Sequence, residues 1–85
     1  MSFIFKQLKI PDVISIMPHL FNDERGYFFE NFNHFAFKQD NIDLNFIQEN
    51  FSKSKKNVIR GLHFQKPPKA QAKLVTAVSG EVFDV

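Results

Sequence analysis

The sequence has no cysteine, no tryptophan, only three glycines and no long apolar run. Without cysteine, neither a disulfide nor a thiolate-bound metal can staple the fold, which fits a reducing cytosol. The glycines, Gly26, Gly61 and Gly80, lie too far apart to form a phosphate-cradling loop. No stretch approaches the roughly 18 apolar residues of a membrane-spanning helix. The opening "MSFIFKQLKIPDV" is interrupted by Lys6, Gln7 and Lys9 before a signal-peptide core can form. A cytoplasmic protein without a membrane partner is therefore expected. His19, His34 and His63 have no short-range histidine partner, so no metal site is expected. Strong charge of one sign is absent too, since the formal net charge is +2. The basic cluster "KSKK", Lys53 to Lys56, lacks the surrounding aromatic platform of a nucleic-acid site and reads as a solvated loop.

What is present is phenylalanine, at 12 of the 85 positions, enough for a large aromatic core or interface. The length allows one domain at most. A chain of this size buries only about 60–65% of its unfolded surface, which leaves it marginally stable. Pro11 and Pro18 exclude a long N-terminal helix. "VISIM", Val13 to Met17, reads as a strand, "NDERG" as a turn, and "YFFENF" as a strand with Phe28, Glu30 and Phe32 on one face. Asn33 is placed to cap a short helix over "HFAFKQD", with Phe32, Phe35 and Ala36 at helical spacing. Leu44 to Ser52 reads as extended, and "QKPPKAQA" as a loop, because Pro67 and Pro68 cannot donate to a ladder. "KLVTAV" and "EVFDV" read as strands joined by Ser79-Gly80 in a hairpin. Many short strands, turn signals between them and one short helix predict an all-β sandwich or barrel. The sequence stops at Val85 inside strand patterning, which predicts a chain truncated at its C-terminus or completed by a partner.

Two clusters suggest chemistry. In the predicted hairpin, Val75 lies opposite Asp84, which makes Lys73 a diagonal neighbour of Asp84 at roughly 7–8 Å between Cα atoms. The pair is either a rim salt bridge, worth about 0–1 kcal/mol, or a cation held to stabilise an oxyanion. In "VIRGLHFQ", strict alternation points Arg60 and His63 to opposite faces. A bulge at Gly61 would bring them together. The plain alternative is a solvent-facing Arg60 and a hydrogen-bonded core His63. The neighbouring arginine, the glycine and the nearby Lys73 favour a shared pocket. Only Arg25 and Arg60 among the basic residues are arginines, and each precedes a glycine. Arginine is favoured over lysine where a planar fork must grip a carboxylate or phosphate. "QEN", Gln48 to Asn50, offers amides suited to a polar ligand or to an ordinary strand end.

Three stretches, "FNDERGYFFENFN", "FIQENFSKSKKNVIRGLHFQ" and "AKLVTAVSGEVFDV", occur in order and together closely resemble the N-terminal part of the dTDP-4-dehydrorhamnose 3,5-epimerase family. The resemblance runs from about Ile10 to Val85. It implies a cupin-type jelly-roll, with residues 1–85 forming the N-terminal part of a single domain. It implies epimerisation of a dTDP-4-dehydro-6-deoxyglucose substrate at C3 and C5, in a homodimer, with no redox cofactor and no metal. His63 resembles the general base beside the C4 ketone, and Lys73 the residue that holds the enolate oxygen. Arg60, Arg25, Glu30, Gln48, Glu49 and Asn50 resemble ligands to the nucleotide sugar, and Asp84 is placed beside Lys73. Imidazole suits a base working near neutral pH, and arginine suits a diphosphate.

The sequence also departs from the family pattern. Ala72 stands where the family usually has glycine before the lysine, and the "KPPKA" loop is unusual. The family's general-acid tyrosine and the aspartate that pairs with the histidine have no counterpart, and the single tyrosine, Tyr27, does not match. An isolated 85-residue chain is therefore expected to be inactive. A mono-epimerase of dTDP-keto sugars and a non-catalytic nucleotide-sugar-binding remnant are the alternatives.

Overall fold

A computed structural model of the chain describes residues 3–85; Met1 and Ser2 of the opening stretch lie outside it. The chain divides into two compact units, Met1–Glu49 and Asn50–Val85.

The first unit holds the regular structure. Strand β1, Phe3–Gln7, pairs antiparallel with β2, Ile14–Pro18, in the register Phe3↔Pro18, Phe5↔Ile16 and Gln7↔Ile14. Pro11 sits in the turn between them, where its missing N–H costs nothing. Alternation gives this hairpin two unlike faces. Phe3, Phe5, Ile14, Ile16 and Pro18 are half-buried on one side, whereas Ile4 and Met17, cross-strand partners, are exposed on the other. Strand β3, Leu20–Asp23, pairs with β4, Gly26–Phe29, around a two-residue turn at Glu24 and Arg25. Gly26 has φ +136°, a conformation that only glycine adopts without strain. "NDERG" is thus the expected turn, and β4 stops before Glu30, earlier than the periodicity of "YFFENF" predicts.

Helix α1, His34–Gln39, is capped at both ends. The Asn33 side chain accepts from the Ala36 N–H at 2.9 Å, as expected of an N-cap. At the other end, the Ile42 N–H donates to the Phe37 carbonyl and the Asn41 N–H to the Lys38 carbonyl. With Asn41 at φ +66°, this is a Schellman closure. Capping matters because six residues are too few for helix propensity alone.

The helix buries a different phenylalanine from the one that its spacing suggests. Phe35 is 70% exposed, whereas Phe37 is 1% exposed and is the one fully buried hydrophobic residue among those described. The rings of Phe3, Phe5 and Phe32 meet Phe37 edge-on, with centroids at 5.2, 5.4 and 4.9 Å, and Phe46 joins through Phe32. Edge-to-face geometry suits the aromatic quadrupole. The helix is oriented by what β1 offers it, which spacing within the helix does not show.

The second unit corrects the sequence reading. The strands expected over Val58 to Gln65, Lys73 to Val78 and Glu81 to Val85 form no ladder among the described residues, nor does Leu44 to Ser52. Turns fall at Lys56-Asn57 and Pro67-Pro68, and a bend at Ser79-Gly80, so the breaks lie where expected while the pairing between them is missing. The cause is burial. Strand-like runs need a packed face to hold register, and a lone hairpin is marginal in water. Here Leu74 is half-buried and the other residues of the unit are exposed, Ile59 at 93% and Phe83 at 92% among them.

The all-β class with one short helix is nonetheless as expected, and the antiparallel hairpins are consistent with a jelly-roll. No helix among the described residues is long and apolar enough to cross a membrane. Phe37→Ala should lower the unfolding free energy by about 3–5 kcal/mol, and Phe35→Ala by no more than about 0.5 kcal/mol. Chemical-denaturation midpoints compare the two; equal losses would contradict this assignment of the helix face.

Candidate functional site

In the first unit, Arg25 sits on the β3–β4 turn. Its backbone N–H donates to Asp23 Oδ1 at 2.8 Å, and its Nε and Nη2 both donate to Asp23 Oδ2, at 3.2 and 2.6 Å. The turn thereby folds the arginine back on its own first residue. Asp23, Arg25, Gly26, Tyr27 and Phe28 line an open surface pocket there. Tyr27 stacks on Phe29 with centroids 6.2 Å apart, which supports one wall. Glu30 follows directly after β4. Its Oε1 is buried and accepts no hydrogen bond among the described residues. A carboxylate oxygen removed from water without a donor carries a desolvation cost, so Glu30 is the group here most in need of a donating ligand. His34 Nε2 and Asp43 Oδ1 lie 3.9 Å apart at the surface, an exposed pair of small energetic weight. Gln48 and Glu49 end this unit in irregular backbone.

In the second unit, Arg60 is held in a similar way by different groups. Its Nε donates to Ser54 Oγ at 3.0 Å and its Nη2 to the Lys53 carbonyl at 3.3 Å. Gly61, with φ +139°, re-aims the backbone between Arg60 and His63 as only glycine can without strain. It does so in irregular chain, whereas the sequence places it as a bulge within a ladder. His63, Lys73 and Asp84 are all exposed. The Lys73–Asp84 diagonal required a hairpin that does not form, and the ion pairs among the described residues are Arg25–Asp23 and His34–Asp43.

Asp23, Lys53 and Ser54 escaped the sequence reading. An aspartate two residues before an arginine in a tight turn is a signal that the sequence carries, because a short acidic side chain there can reach both the following N–H and the guanidinium. Ser54 carries no such local signal, since it meets Arg60 only through the path of the loop.

The fold and these groups define an all-β, antiparallel chain with guanidinium and carboxylate groups set at turns and strand ends. A model of the family described as dTDP-4-dehydrorhamnose 3,5-epimerase matches residues 7–85. The chain belongs to this family. It is 54% identical, over 89% of its length, to the dTDP-4-dehydrorhamnose 3,5-epimerase of Salmonella typhimurium. It is 45% identical, over 99% of its length, to the protein of that name from Methanothermobacter thermautotrophicus. It is 43% identical, over 94% of its length, to that from Mycobacterium tuberculosis. The chain spans 42%, 45% and 40% of these three relatives, less than half of each. No solved structure matches it significantly.

Hydrogen bonds from the Arg25 side chain, and then from its backbone N–H, hold the Asp23 carboxyl below the usual carboxylate range. The folded value lies below the unfolded one. The stabilisation is therefore complete above the ordinary carboxylate range and is lost as pH falls through the lowered value. Exposure of both partners keeps this contribution small. A carbon-detected NMR titration should find Asp23 titrating below the usual range, and Arg25→Ala should bring it back up; an Asp23 titration indifferent to Arg25→Ala would contradict the contact.

Proposed function

We propose that the protein acts on dTDP-4-dehydro-6-deoxyglucose, inverting C3 and C5 to give dTDP-4-dehydro-L-rhamnose. The observation that carries this reading is family membership across residues 7–85, in a segment that includes Arg60, His63 and Lys73. The chemistry follows from the substrate. The C4 ketone acidifies the protons on C3 and C5. His63 takes one as general base, leaving the electron pair on the ketone as an enolate. The Lys73 ammonium holds that enolate oxygen. Charge stabilisation of this kind contributes roughly 10²–10³ in rate. A proton returned to the opposite face of the carbon inverts the centre, and no redox cofactor or metal enters the balance.

Binding is assigned to Arg25, Glu30, Gln48, Glu49, Asn50, Arg60 and Asp84. The unpaired buried oxygen of Glu30 and the uncompensated charge of Arg60 support two of these assignments. The working unit is read as a cytoplasmic homodimer. The apolar surface offered by Ile4 and Met17, 68% and 61% exposed, supports a partner on that face of the β1–β2 hairpin. Residues 1–85 are read as the N-terminal part of one domain.

Exchange in D₂O tests the reading. In a preparation active on the keto-sugar nucleotide, His63→Ala should cut deuterium incorporation at C3 and C5 by about 10²–10⁴-fold; retained exchange would refute the base. The 85-residue chain alone should exchange little, because its one tyrosine lies at Tyr27, away from the family's acid position. Rates near those of the full-length relatives would overturn that expectation.

A further inference from the structure

The chain has two arginines, and the structure holds both by the same edge. A guanidinium carries five N–H donors, and each of its two outer edges can grip an oxyanion through two of them. For Arg60 the Nε–Nη2 edge is occupied: Nε donates to Ser54 Oγ at 3.0 Å and Nη2 to the Lys53 carbonyl at 3.3 Å. The loop is built for this. The Val58 N–H donates to the Lys55 carbonyl at 3.3 Å, and Asn57 takes φ +70°, so the chain turns back and sets residues 53 and 54 against Arg60. The Nη1–Nη2 edge keeps two N–H groups, one from each nitrogen, for a ligand.

The two arginines differ in what holds them. Arg25 rests on the Asp23 carboxylate, with Nη2 at 2.6 Å from Oδ2, so its charge is already matched. Arg60 rests on a hydroxyl and a carbonyl, both neutral, and no ion pair engages it among the described residues. Its full charge remains available, and Lys53, Lys55 and Lys56 of the same loop add to the local field. A tether of neutral acceptors fixes the fork without offsetting its charge, which is the arrangement a doubly charged diphosphate needs. It also reduces the rotamer entropy lost when the ligand binds.

We propose that Ser54 and the Lys53 carbonyl are positioning groups that aim the free edge of Arg60 at the diphosphate of the nucleotide sugar. The inference rests on the reading of a dTDP-sugar substrate. It gives the lysine loop a task beyond solvation and makes Ser54 part of the binding apparatus, although the hydroxyl does not itself touch the ligand.

The test uses the protein as its gene encodes it, titrated calorimetrically with dTDP and with thymidine. Ser54→Ala should weaken dTDP binding by about 3–10-fold, the worth of one lost hydrogen bond, and leave thymidine unchanged. Ser54→Thr, which keeps the acceptor, should restore dTDP affinity. In an Arg60→Lys background, Ser54→Ala should have no further effect, because the hydroxyl acts only through the guanidinium. The Arg60 Nε–H resonance should shift in Ser54→Ala and return in Ser54→Thr. Unchanged dTDP affinity in Ser54→Ala, or equal weakening toward thymidine, would overturn the inference while the substrate reading stands. Failure of the unsubstituted protein to bind dTDP would overturn both.

Discussion

The first unit depends on the burial of one ring. Phe37 is withdrawn from water by Phe3 and Phe5 of β1 and by Phe32 just before the helix, so strand and helix are fixed by the same contact. A six-residue helix would not persist by propensity, and a two-stranded hairpin is marginal by itself. The apolar area around Phe37 offsets both deficits. It also explains why the caps at Asn33 and Asn41 sit where they do, since the helix must begin and end within reach of that ring.

The second unit has no comparable centre. Apart from the half-buried Leu74, its apolar side chains remain in solvent, and its alternating sequence does not become sheet. What it does organise is polar and local: a lysine loop closed by the turn at Asn57, an arginine pinned by two neutral acceptors, and a glycine that redirects the chain before His63. The β3–β4 turn in the first unit is local in the same sense, with Asp23 and Arg25 joined across two residues. Both arginines are thus held by short-range hydrogen bonds, which form whether or not a large core is present.

Much was legible in the residues themselves. The N-cap at Asn33, the turn at Asn22 to Gly26, the lysine loop and the Pro67-Pro68 break all follow from local stereochemistry, and all appear. The glycine of "RGLHF" does take a positive φ between Arg60 and His63, although in irregular chain and not as the expected bulge in a ladder. The choice of Phe37 over Phe35 was not legible, because helical spacing points to Phe35 and only the partner strand selects Phe37. Nor was Ser54, whose contact with Arg60 spans six residues through a loop.

Residue type and short-range order are enough to place the caps, turns and breaks, the all-β class and the family to which the chain belongs. Packing in three dimensions settled which phenylalanine is buried, which strand-like runs pair, and which acceptors hold Arg60. Those outcomes depend on what lies opposite a side chain in space. Alternation records only that a residue could face a partner, and burial decides whether there is one.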